Sequence, residues 1–174
     1  GFWNAQISWY VERGGRYFSI ALLSLYTVFS KSFLIYKLIP IILFGLLFYS
    51  NYSLIRLSFG NMYKRAALIL TMCVIVVYLL IMPSITQGFY WLSGSITYQV
   101  PNILTLFLFG FIIKLLDSNK KKYLLLSILF SFFIIGSNEL SMLYIIYFTG
   151  VILIYQYVKC EKINYSILIL LLFE

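Results

Sequence analysis

The chain is predicted to be an all-α, polytopic helical membrane protein, and three observations carry that expectation. Apolar residues make up 63% of the 174 and charged residues 10%, with a mean hydropathy of +0.97; soluble domains carry roughly a quarter charged residues. Long apolar runs alternate with short connections that hold most of the lysines and arginines. The longest connection, Pro83 to Asn102, contains no formal charge but is crowded with Phe89, Tyr90, Trp91 and Tyr98. The chain opens on Gly1 and stops directly after an apolar run, so a single transmembrane domain is expected here as an internal fragment.

Residues 1–16 mix aromatic and polar groups and end in a charged cluster at Glu12, Arg13 and Arg16; they are expected to be external. Tyr17 to Ser30 is apolar but would reach only about 21 Å as helix against a hydrocarbon core of about 30 Å. At 100° per residue Ser19, Ser24, Thr27, Ser30 and Lys31 continue the Arg16 stripe within about 140°. Residues 17–31 are therefore expected to form an amphipathic helix lying in the membrane interface.

Spans are expected over about 34–57, 65–82, 102–116, 123–136 and 140–158, with a truncated one over 163–174. Pro101 suits the first turn of the third. Residues 83–101 form an external aromatic loop, because irregular backbone near membrane depth survives only where protein or a wet cavity satisfies it. Lysine-rich connections at 117–122 and 159–162 are assigned to the cytoplasm. That orientation places the Arg cluster, the aromatic loop and the Ser137 to Glu139 turn together on the outer face.

The net charge of +8 follows from this topology, and no nucleic-acid partner is implied. There is no histidine, which removes imidazole catalysis and His-based metal sites. Cys73 and Cys160 show no metal-ligand spacing. No cofactor is expected, with a divalent metal left open.

Of five acids, only Glu12 and Glu139 fall on the outer face. Glu139 follows a run too short to reach the surface comfortably, and an ionisable group below the headgroups is a functional candidate. Its expected partner is a cation of the Arg13 and Arg16 cluster, or Asn138 beside it. The plainer alternative is an acid reaching water at a helix N-terminus. Arg13 and Arg16 could present two planar forks to one phosphate, or anchor lipid headgroups, or pair with Glu12. Tyr90 and Trp91 could stack on a sugar or an isoprenoid while Gly94 permits close backbone approach, or they could form an ordinary interfacial belt.

The string WLSGSITYQVP, with Trp91, Ser93, Gly94, Tyr98 and Pro101, resembles a W-x-S-G-x-x-x-Y-x-x-P signature of bacterial multispanning proteins similar to GT-C-type glycosyltransferases. Gly14 to Ser19 resembles their Gly-Arg-Tyr/Phe segment before a periplasmic amphipathic helix, and Gly136 to Leu140 their later Asn-Glu turn. The resemblance implies a GT-C-like enzyme of the bacterial cytoplasmic membrane. It would take a sugar from a polyprenyl-phosphate carrier at the outer face and pass it to a glycan or lipid acceptor in envelope or surface-polysaccharide assembly. In such proteins an acid after the first span is the usual base; here that acid would lie upstream of Gly1 unless Glu12 fills the role, with Glu139 the other candidate. Arg13, Arg16, Tyr90, Trp91, Ser93, Gly94, Tyr98 and Asn138 would bind substrate. An O-antigen or capsule polymerase and a transporter or flippase of lipid-linked sugars are the rival readings.

Overall fold

A computed structural model describes residues 16–29, 33–60, 63–160 and 165–174. Glu12, Arg13, Ser30 and Lys31 lie outside the described residues. Among the described residues seven longer helices follow in order: α1 (Tyr17–Phe29), α2 (Phe33–Ser58), α3 (Lys64–Ile81), α4 (Val100–Ser118), α5 (Lys121–Ile135), α6 (Glu139–Cys160) and α7 (Tyr165–Phe173). Among the described residues there is no strand.

Among the described residues four helical stretches are long and apolar enough to cross a membrane: Tyr36–Ser58, Lys64–Ile81, Leu92–Ser118 and Glu139–Lys159. Their outward side chains, such as Ile41 on α2, Ile69 and Leu80 on α3 and Ile154 on α6, are exposed and apolar. In water such surfaces would drive aggregation, whereas lipid tails are as apolar as they are. The molecule is a helical membrane protein. α5, expected to span over 123–136, has 15 residues, and α7 has nine; both fall short of the four.

The connection at 83–101 differs most from expectation. It is not an open loop but mostly helix: π-helical turns at Thr86–Tyr90 and Ser95–Gln99 flank a single turn at Leu92–Gly94. The third candidate span therefore begins at Leu92 rather than 102, and Pro101 sits inside a continuous helical run. Proline has no N–H to donate and its ring crowds the preceding turn, so an α-helix passes through it poorly. Widening that turn to π geometry lets the helix continue, and such bulges recur at functional sites.

Leu92–Ser118, which ends in α4, is the most buried of the four candidate spans. Its Leu108, Ile112 and Leu115 pack with Ile134 of α5, Ile145 of α6 and Ile167 and Leu170 of α7. A second cluster joins Leu43 and Leu47 of α2 to Phe89 and to Ile103 of α4. The aromatic stretch is thereby anchored on α2 through Phe89, whose ring lies 6.1 Å from that of Phe44.

Candidate functional site

One end of the bundle gathers three pieces of chain: the start of α1, the turn between α5 and α6, and the π-helical turn before α4. Gly136 opens the turn. A Cβ there would come within 2.3 Å of the Tyr17 ring, so only glycine lets α1 approach this closely. The first N–H groups of a helix have no partner within it. Here Phe18 and Ser19 donate theirs to the Gly136 carbonyl at 2.7 and 3.3 Å. The Tyr17 hydroxyl donates to the Phe132 carbonyl at 2.5 Å, and the Phe18 ring stacks on Phe133 at 4.7 Å. Ser19, expected on the polar stripe of an interfacial helix, is buried and donates to the Ser137 carbonyl at 2.8 Å. Ser24 likewise turns its hydroxyl back to the Ile20 carbonyl. Part of that stripe thus serves docking and helix backbone.

Asn138 is the hinge pin of the site. Its Oδ1 accepts the Ser141 N–H at 2.8 Å, the arrangement of a helix N-cap. Its Nδ2 donates to the Thr97 carbonyl at 2.7 Å. In an unbroken α-helix that carbonyl would receive the N–H four residues on, but that residue is Pro101, which has none. The proline removes that carbonyl's α-helical donor, and Asn138 donates to it from the start of another helix. Asn138 is buried and both ends of its amide are engaged within the protein, so it ties the turn before α6 to the π-helical turn before α4.

Glu139, the first residue of α6, and Arg16, just before α1, meet in a two-pronged pair. Arg16 Nη2 donates to Oε2 at 2.8 Å, and Nε donates to Oε1 and Oε2 at 3.1 and 3.2 Å. The expected partnership between Glu139 and the arginine cluster is thus made by Arg16. Its hydrogen bond to Glu139 raises the guanidinium pKa above its ordinary value; partial burial opposes this, and the attraction of the same carboxylate and of nearby Tyr98 adds to it. The side chains are 37% and 51% exposed, so a ligand at this surface can reach both.

Tyr98, Tyr90 and Trp91 are all exposed. Tyr98 lies near enough to Arg16 to act on its charge, whereas the Tyr90 carbonyl accepts the Tyr36 hydroxyl at 2.6 Å on the α2 side. Beside Tyr90, an apolar cavity of about 290 Å³ is lined by Pro40, Ile41, Phe44, Leu79 and Ile85. Gly94 does permit close approach, but to its own chain: a Cβ would fall 2.6 Å from the Gln87 carbonyl oxygen and 2.8 Å from the Trp91 ring. Ser93 is half-buried in the same turn. Glu12 and Arg13 lie outside the described residues. Among the described residues no three His, Cys, Asp or Glu side chains come together.

Sequence reasoning missed Gln99. It is buried, accepts the Tyr78 hydroxyl at 2.7 Å through Oε1, and leaves Nε2 with no hydrogen-bond partner. Asn102 Nδ2 donates to the same Tyr78 oxygen at 3.3 Å. A glutamine two residues before a proline at a span's start was the available signal. No family model, curated protein or solved structure matches the chain.

Proposed function

We propose that this protein is a GT-C-like glycosyltransferase that uses a polyprenyl-phosphate-linked sugar at the outer face of a bacterial cytoplasmic membrane. The observation that carries the reading is the exposed, two-pronged Arg16–Glu139 pair, set at one end of a spanning helix beside Tyr98. The apolar cavity next to Tyr90 suits part of an isoprenoid chain. The resemblance of the Trp91 to Pro101 string supplies the donor class.

A guanidinium fork that binds a carboxylate through two nitrogens binds a phosphate by the same geometry. When the donor's phosphate takes Arg16, Glu139 loses its partner and becomes the proton acceptor. The acceptor hydroxyl attacks the anomeric carbon, forming the new C–O bond and giving its proton to Glu139. The anomeric C–O bond to phosphate breaks, its electron pair leaves with the polyprenyl phosphate, and Arg16 stabilises the charge that develops there.

Transfer of radiolabelled sugar from a polyprenyl-phosphate donor, measured with the intact protein in vesicles, tests this. Arg16→Ala is expected to abolish transfer and Glu139→Gln to lower it by about 10²-fold or more, with membrane insertion unchanged. Wild-type rates in either variant sink the mechanism.

A transporter or flippase of lipid-linked sugars is favoured by one feature. Glu174 accepts the Ser131 hydroxyl at 2.8 Å, while its other carboxyl oxygen and the Thr149 hydroxyl are buried without a hydrogen-bond partner, and polar groups buried among packed apolar helices are typical of a transport path. Movement of labelled donor across vesicles without sugar transfer would decide for it.

A further inference from the structure

The other end of the bundle carries a different arrangement. α6 has 22 residues, so its ends lie about 33 Å apart, with Glu139 at one and Lys159 near the other. α2, α4 and α6 converge at the Lys159 end around a cavity of about 700 Å³, within the usual size of a small-molecule site. Its walls are apolar, with Leu54, Phe109, Ile112, Phe148 and Ile152, while Asp117 and Lys159 stand among its lining. The side chain of Gln156 also lines it, and its Oε1 is buried with no hydrogen-bond partner.

A second cavity of about 440 Å³ contains Arg56, Tyr52 and, again, Asp117. One carboxylate therefore lies where the two cavities meet, with an arginine lining one and a lysine the other. Both cations are steadied by rings, Arg56 over Tyr52 at 5.8 Å and Lys159 over Tyr155 at 5.4 Å.

We propose that this groove takes an acyl chain of an ethanolamine phospholipid, whose headgroup is held by Asp117, Lys159 and Arg56. The apolar walls suit the chain, and the two cations suit the phosphate. Asp117 supplies the selectivity. A primary ammonium has three N–H donors for a carboxylate, a choline ammonium has none, and a glycerol headgroup brings no positive charge. A site for purely anionic lipid would have no use for an acid in the lining shared by both cavities. The proposal is independent of the transfer reaction, which concerns the other end of the helices.

The intact protein in detergent would be titrated with dioleoyl phosphatidylethanolamine, phosphatidylcholine or phosphatidylglycerol, and the lipids retained would be counted by native mass spectrometry. Phosphatidylethanolamine is expected to be retained about fivefold over either rival, the scale of one partly exposed ion pair. Asp117→Asn should erase that preference without lowering total lipid retained. Ile152→Trp should displace the lipid by filling the groove. Thermal unfolding of both variants separates site loss from misfolding, and Asp117→Asn alone suffices where Ile152→Trp is unstable. Equal retention of the three lipids, preference for phosphatidylglycerol, or an unchanged preference in Asp117→Asn would overturn the proposal. So would failure to retain any lipid, which would mean that protein fills the groove.

Discussion

Replacing Asn138 with alanine removes two hydrogen bonds that hold different helices, and their contributions can be separated. Loss of the Oδ1 bond to the Ser141 N–H uncaps α6, which costs about 0.5–2 kcal/mol. Loss of the Nδ2 bond strands the Thr97 carbonyl in a buried residue. An unsatisfied buried acceptor costs about 1–3 kcal/mol in soluble proteins. Interhelical side-chain bonds in membranes average nearer 0.6 kcal/mol, up to about 1.7, because the unfolded chain in lipid also finds partners. The membrane figure governs here, so Asn138→Ala should destabilise by about 1.1–3.7 kcal/mol in all. Pro101 is the residue whose N–H would serve that carbonyl in an α-helix, and it has none. Pro101→Ala restores an N–H four residues on, and in that background Asn138→Ala should cost only the capping term. The double-mutant cycle is read by reversible equilibrium unfolding in bicelles. Coupling of about 0.6–1.7 kcal/mol is expected. An equal cost of Asn138→Ala in both backgrounds would refute the argument that Pro101 creates the acceptor Asn138 fills.

Arg16→Ala should cost less than about 1 kcal/mol of stability, since the pair it breaks is substantially exposed, yet abolish sugar transfer; a parallel collapse of the fold would make the pair structural instead. Gly136→Ala must push the Tyr17 ring aside and is expected to destabilise by about 1–3 kcal/mol. Undocking of α1 would show as faster proteolysis near Arg16, and unchanged proteolysis would mean that the turn yields freely. Tyr78→Phe removes the hydroxyl shared by Gln99 and Asn102. It should cost about 1 kcal/mol and quicken hydrogen exchange at the start of α4, while unaltered exchange there would show that packing alone positions that helix.

The sequence by itself determined the class of protein. Composition, hydropathy and helix length are summed over neighbours in the chain, so the all-α reading and long apolar helices near 34–57 and 65–82 were legible, whereas 123–136, read as a span, folds as a helix of 15 residues. It also singled out Arg16 and Glu139 as a possible pair, because few acids are available and the topology leaves few on one side. The aromatic stretch was misread as a loop for a local reason: glycines and a proline signal breaks, and nothing nearby in the chain shows that π-helical turns and an asparagine 41 residues away will carry the helix through. Tertiary structure alone decided that Asn138 is a support, that Gly94 closes on Trp91, and that Ser19 is buried in a docking contact. Each of these depends on which distant group satisfies a backbone polar atom or occupies the space above a glycine. Burial makes an unmet hydrogen bond costly, and only the packed bundle settles which partner meets it.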